Sequence, residues 1–230
     1  MHIPDGYLGP PTYIAAYAAC IPLWGLAARK LSNEREARRA PLLSISAAFT
    51  FLVMMFNIPL PGGSTGHAIG GVLTAIAVGP WGAMLSISIA VVIQALLFGD
   101  GGITAIGANC LDMAFLMPFT GVFAYRILSR FLTSGKGRAV AAGIGGWLGL
   151  NIAALSTSIL FGIQPLLHRA DDGRALYAPY PLSVSVPAMM LPHLTVFGLA
   201  EAMITGLTVY YLQRSRSAWI LSSSPGEAER

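Results

Sequence analysis

Charge is what this sequence has least of. Of its 230 residues only 10% are Asp, Glu, Lys or Arg and 55% are apolar, with a mean hydropathy of +0.66. That balance excludes an ordinary soluble domain and predicts an integral membrane protein. Cysteine is nearly missing: Cys20 and Cys110 stand apart in apolar runs without CxxC or CxxH spacing. A disulfide framework and a zinc knuckle are thereby unsupported, and both residues read as small buried fillers. The first ten residues hold no Lys or Arg, so the basic start of a secretory signal is lacking and the N-terminus is expected to remain on the chain. No Gly-x-x-x-x-Gly-Lys phosphate loop or His-Glu-x-x-His helix occurs, so any uphill transport must draw its energy from another protein. The net charge of +4 does not signal nucleic acid. Its basic residues gather in short loops between apolar spans, as membrane topology requires.

What is present begins at the first residue. Met1-His2-Ile3-Pro4-Asp5-Gly6 opens the chain, and a second histidine ends the glycine-rich segment Gly62-Gly63-Ser64-Thr65-Gly66-His67. A terminal amine, the residue-2 amide nitrogen and the Nδ1 of a residue-2 imidazole close adjacent chelate rings and set three nitrogens nearly in one plane. His67 can supply the fourth. Four nitrogens in a square suit Ni(II) or Cu(II), whereas Zn(II) prefers a tetrahedron and Mg(II) or Ca(II) prefer oxygen. The bulk of His2 is expected to protect Met1 from removal and so preserve the amine. Pro4 stiffens the turn and Asp5-Gly6 can reverse the chain, tucking the tip inward.

A bilayer-spanning helix needs about 20 apolar residues. The pattern predicts an all-α bundle of seven spans, at 11–29, 42–59, 67–79, 82–98, 111–131, 139–162 and 184–212, forming one membrane domain over residues 1–213 with a tail at 214–230. Arg29, Lys30, Arg35, Arg38 and Arg39 follow the first span; Arg126, Arg130, Lys136 and Arg138 surround the fifth turn; Arg214 and Arg216 follow the last. With alternating spans all of these share one side, the cytoplasm, leaving the N-terminus outside and the C-terminus inside. Both histidines of the candidate site then fall at the exterior end. Small residues at helical spacing, Ala15 with Ala19, Gly145 with Gly149 and Gly198 with Ala202, predict close helix packing, with Ala15–Ala19 the pair best placed to meet a membrane partner instead.

Each candidate has a plainer alternative. A chain can begin Met-His by chance, and a lone His in apolar surroundings is commonly a hydrogen-bonded core residue. The non-helical Pro59-Leu60-Pro61-Gly62-Gly63 approach to His67 favours a cavity and a ligand role. Ser64 or Thr65 is expected to cap a helix beginning near His67, and both are also expected among the residues that support the metal ligands. Asn57, Gln94, Asn109 and Asp112 sit near the outer ends of apolar spans, where they either bond structural backbone or support the imidazoles and pin the N-terminal loop. His193 and Glu201 lie on roughly one face of the last span. A structural hydrogen bond or coupling to a partner subunit fits them better than metal binding. His168 reads as a solvated loop residue.

Met1-His2-Ile3-Pro4-Asp5-Gly6-Tyr7-Leu8, Asn57-Ile58-Pro59 through His67, and Phe98-Gly99-Asp100-Gly101-Gly102-Ile103-Thr104-Ala105 through Asn109 together resemble the NikM/CbiM family, over essentially residues 1–213. The family comprises substrate-capture membrane components (S components) of energy-coupling-factor (ECF-type) ABC importers for nickel and cobalt in the prokaryotic cytoplasmic membrane. The resemblance implies a seven-helix S-component fold and no ATPase of its own. It also implies a transmembrane coupling protein of NikQ/CbiQ type, a cytoplasmic ATPase of NikO/CbiO type and a small NikN/CbiN-type membrane subunit. It assigns Met1, His2 and His67 to the metal. Cobalt members tend to continue Met-His-Ile with Met-Glu-Gly, and nickel members resemble the Pro4-Asp5-Gly6 seen here, so Ni(II) is expected and Co(II) is the alternative. The auxiliary subunit is expected on a separate chain. Rivals from other classes are an intramembrane metal-dependent hydrolase built on His67, His193 and Glu201, which needs an open-coordinate metal, and an autonomous channel.

Overall fold

The computed structural model of the chain describes residues 1–32, 40–60, 64–215 and 219–222. Its long apolar elements are, in chain order, α1 (Pro10–Leu31), α2 (Ala40–Met54), α3 (Gly71–Phe98), α4 (Ile106–Phe131), α5 (Gly135–Leu167) and α6 (Leu182–Arg214). All but α2 are long and apolar enough to cross a membrane. Between α2 and α3 a small hairpin pairs β1 (Ile58–Leu60) with β2 (Ser64–Gly66). A final turn, α7, covers Trp219–Ser222. Arg35, Arg38, Arg39, Arg216 and the residues Pro61, Gly62 and Gly63 lie outside the described residues.

The two spans expected at 67–79 and 82–98 belong to α3, which is broken at Gly79 (φ 77°, ψ 161°) just before Pro80. Only glycine adopts such a backbone cheaply, and Pro80 can offer no N–H to continue the ladder. The chain folds back there. A Cβ on Gly71 would stand 3.3 Å from Cδ1 of Ile87, whereas sixteen residues of straight helix would part them by about 24 Å. Lys30, at the end of α1, lies 5.8 Å over the Trp81 ring, so the reversal sits at the basic end of the bundle. His67 and Asp100, before and after α3, are thus returned to the same opposite end.

Three boundary expectations change. The second helix stops at Met54 instead of 59 because Ile58, Pro59 and Leu60 pair with Gly66, Thr65 and Ser64; on the edge of a two-strand ribbon the missing Pro59 N–H costs little. The helix after His67 starts only at Gly71, with Gly70 at its N-cap (φ 70°) and no side-chain cap. Ser64 and Thr65 are accordingly strand residues rather than caps.

Glycine seams join the inner helices. A Cβ on Gly121 of α4 would stand 2.7 Å from the Gly145 carbonyl oxygen of α5, one on Gly149 2.6 Å from that of Met117, and one on Gly143 3.0 Å from that of Ala202 in α6. The Gly145–Gly149 and Gly198–Ala202 stretches therefore pack internally, as small-residue spacing predicts. Ala15 and Ala19 do not; both are exposed on α1. Large apolar side chains such as Ile14, Leu52, Leu97, Phe123 and Leu199 point outward, the arrangement hydrocarbon surroundings favour. Cys20 and Cys110 are free and buried.

Candidate metal centre

The chain's first three residues are inside the protein: Met1 and Ile3 have no exposed surface and His2 has 3%. Several contacts hold them there. Asn109, from α4, accepts the Ile3 N–H at 2.8 Å and donates to its carbonyl at 3.2 Å, and the Gly102 N–H donates to the same carbonyl at 2.8 Å. Pro4 leads into the turn at Gly6 (φ 80°). Asp5 ties that turn down, its carboxylate accepting the Ile103 N–H at 3.1 Å, the Thr104 N–H at 2.9 Å and the Thr104 hydroxyl. Gly102 has no room for a side chain because Asp5 N and the Pro4 carbonyl carbon lie against it. The tip thus docks as a strap on the loop between α3 and α4.

Inside, three nitrogen-bearing groups meet. The Met1 amine donates to the Thr65 carbonyl, with the Thr65 hydroxyl 3.4 Å away. His2 and His67 have ring centroids 4.8 Å apart, and His2 Nδ1 lies 3.1 Å from His67 Nε2. His2 Nε2 faces Gln94 Oε1 at 3.2 Å and His67 Nδ1 faces the Ala68 carbonyl at 3.1 Å. Both oxygens accept, so the tautomer of each ring that satisfies them carries its proton there. In that pair of tautomers the inner nitrogens face each other with lone pairs. Two lone pairs at that distance repel, and a cation between them turns the repulsion into two bonds. Two nitrogens each about 2.0–2.1 Å from one metal at a right angle would stand about 2.9 Å apart, close to what is found.

Burial keeps the cluster unprotonated. It brings the Met1 amine down from 8.0 to about 5, against the raising fields of Asp100 and Asp112. Burial, then the nearby terminal amine, bring His2 down to about 3 despite the Gln94 hydrogen bond. His67 is held well below its ordinary value by the same two causes and by His2. Asp100 approaches His2 Nδ1 at 3.5 Å, but with His2 neutral the contact is no ion pair. Burial raises the Asp100 carboxyl while the terminal amine and the Asn57 amide, donating at 3.0 Å, oppose the rise.

The expected supporting residues divide. Gln94 meets His2, Asn109 pins the loop, and Asn57 acts through Asp100. Thr65 contributes its backbone carbonyl; Ser64 lies next to it in β2. Asp112 touches neither imidazole nor loop: its Oδ2 accepts the Thr157 hydroxyl at 2.8 Å, joining α4 to α5. His168 is half-buried rather than fully solvated. It packs on Gly9, where the absent side chain leaves space, and stands edge-on to Tyr177 at 5.2 Å. Asp100 escaped the candidate residues drawn from the sequence, although its place between the two positive-φ glycines Gly99 and Gly101 marks a shaped loop.

The hydrolase arrangement is not formed. Glu201 spends one carboxylate oxygen on the N–H groups of Ile69 and Gly70, at 2.8 and 2.9 Å, and His193 directs Nδ1 at the Met189 carbonyl at 2.7 Å. Among the described residues no three His, Cys, Asp or Glu side chains gather as a metal cluster. A centre here needs the amine.

Comparison with known proteins bears on this geometry. The family model described as the cobalt uptake substrate-specific transmembrane region matches residues 2–219. The chain belongs to the CbiM/NikM family. Among CbiM/NikM relatives, a fused nickel transport protein, NikMN, of Rhodobacter capsulatus is 49% identical over 94% of this chain. The chain spans 62% of that longer protein's length. A putative metal transport protein of Methanocaldococcus jannaschii is 46% identical, covering 94% of this chain and 93% of its own length. A solved structure of a transition metal transporter superposes with a TM-score of 0.90 at 47% identity, covering 97% of this chain and 98% of that one. Membership and the long apolar helices together make this a multi-pass membrane protein of a prokaryotic metal-uptake family.

Proposed function

We propose that this chain is the substrate-capture membrane subunit of an energy-coupling-factor importer, and that it takes Ni(II) from the exterior side into a planar set of four nitrogens. The ligands are the Met1 amine, the His2 amide and Nδ1, and His67 Nε2. The observation that carries the reading is the pair of imidazole nitrogens 3.1 Å apart beside the buried chain terminus. Loss of the amide proton leaves a unipositive centre, and the Asp100 carboxylate near His2 can balance that charge in a buried site. The N-terminus lies outside by the positive-inside rule, residues 1–213 form the membrane domain and 214–230 a cytoplasmic tail. The metal then leaves inward when a NikQ/CbiQ-type coupling protein, driven by NikO/CbiO-type ATPases, deforms the bundle, with a NikN/CbiN-type small membrane subunit assisting. The chain itself hydrolyses no ATP.

Co(II) is the second reading, favoured by the cobalt-uptake description of the matching family. Competitive titration of the native-N-terminus protein with both ions, followed by absorption spectroscopy, separates the two. Planar diamagnetic Ni(II) gives a single visible ligand-field envelope, and preference for Co(II) with a higher-coordinate spectrum would overturn nickel. Metal flux into vesicles holding this chain alone, without ATP, would overturn the capture-subunit reading in favour of a channel.

A further inference from the structure

The ligands are anchored to different parts of the bundle. On one side His2 leans on Gln94 at the outer end of α3, and the residues following it are clamped by Asn109 of α4 and the 99–105 loop. On the other side His67 opens a four-residue extended link to α3, and that link is gripped from below by Glu201 of α6. The grip is specific. Oε2 accepts two consecutive N–H groups, Ile69 at 2.8 Å and Gly70 at 2.9 Å, while Oε1 has Thr205 at 3.4 Å. Gly70 is in the left-handed region, φ 70°, which aims its N–H beside that of Ile69. Glu201 has no exposed surface. Its backbone is seated on α5, where a Cβ on Gly146 would stand 3.2 Å from the Glu201 carbonyl oxygen.

Intramembrane carboxylates are costly to bury and mark function when they are retained. Neither metal chemistry nor helix–helix packing accounts for this one, since both contacts are to the loop that carries His67. We infer that Glu201 is the positioning residue of the metal centre, holding His67 Nε2 in the ligand plane and linking the centre to the α5–α6 pair. The proposal rests on the four-nitrogen site proposed above. It divides the donors three to one: the strap brings three nitrogens on α3 and α4, and α6 brings the fourth through Glu201. A relative shift of α6 therefore withdraws His67 first and leaves the ion on the weaker strap.

The test is Ni(II) titration of the full chain with its native N-terminus, reading affinity, stoichiometry and the visible spectrum for E201L, E201D and E201Q beside H67A. E201L, which has no acceptor, should weaken binding about 10–100-fold, the usual loss for an outer partner of a metal ligand. Its bound ion should carry the red-shifted spectrum of H67A, three strap nitrogens and one weaker donor. E201Q keeps an oxygen where the two N–H groups point and should recover most of the affinity. E201D keeps the charge but withdraws the oxygens by one methylene, so it should fall below E201Q and reads the same contact if E201L does not fold. Native affinity and spectrum in E201L and E201D would overturn the inference, as would a lower bindable fraction with unchanged affinity and spectrum. If H67A itself bound Ni(II) as the native chain does, the four-nitrogen site would be at fault instead.

Discussion

The polar tip and the apolar bundle of this molecule are held together by opposite means. Around residues 1–6 the contacts are mostly side-chain hydrogen bonds gathered from α3, α4 and the loop between them: Gln94, Asn109, Asp5 with Thr104, Asn57 with Asp100. Along α4, α5 and α6 the contacts are glycine against carbonyl, with backbones approaching to distances no side chain would permit. Hydrocarbon offers helices no hydrophobic drive toward each other, so close van der Waals packing has to supply it. The tip instead works in a dry pocket where each polar group needs a partner. Function and stability are consequently separable here: tip variants should lose metal and keep the fold, and seam variants should do the reverse.

The largest effect is expected from the imidazoles. H2A or H67A should cost more than the about 10–100-fold typical of an outer partner, with apoprotein melting little changed; a metal-independent collapse of the fold in both would break the contrast. Next comes acidity. Because burial has already brought the Met1 amine to about 5 and His2 to about 3, binding above pH 5 releases roughly one proton, that of the His2 amide, and log affinity should rise with a slope of about one. Below about pH 5 the amine proton must also be displaced and the slope should approach two. The same shift acts on folding: the unfolded amine binds a proton below 8.0 and the folded one only below about 5, so apoprotein stability should increase from pH 5 to pH 8 and then level off. Titrations and melts across this window check both, and a metal-binding slope near two at pH 7 would place the amine outside the protein.

Asn109→Leu should come third, about 10–100-fold in affinity, since it leaves the Ile3 N–H without its acceptor and the Ile3 carbonyl held by the Gly102 N–H alone. In the seams, Gly121→Val forces a methyl-bearing Cβ toward the Gly145 oxygen and should destabilise by about 1–3 kcal/mol, seen as a lower melting temperature with unaltered affinity in the folded fraction. The smallest effect belongs to Asp112→Asn. Its hydrogen bond runs to Thr157, so Ni(II) affinity should stay within about threefold of native, less than an outer partner's loss costs; a large loss would return Asp112 to the metal's surroundings.

The bundle was legible from the sequence because hydropathy reports the spans and small-residue spacing reports where helices approach closely. So was the pairing of His2 with His67, since chelate chemistry singles out a histidine at position 2 and then needs one more nitrogen. What sequence alone left out depended on backbone direction. Ser64 and Thr65 look like helix caps until Pro59 is seen to pair across the ribbon, and nothing local says that the carboxylate of Glu201, far along the chain, ends under Ile69 and Gly70. Asp112 shows the converse: polarity near the outer end was a true sign of burial with a partner, but not of which partner. Gly79-Pro80 carried the fold-back of α3 in two residues, and that reversal is what brings Asp100 within reach of His2.

The most direct test compares Ni(II) binding by the chain bearing a free Met1 amine with binding by the same chain acetylated at that amine. The bundle, both imidazoles and every hydrogen-bonding side chain are the same in the two proteins, and only the buried amine is converted to an amide. The account predicts that tight binding and the planar Ni(II) spectrum vanish in the acetylated chain while its fold persists; equal affinity in both would contradict it.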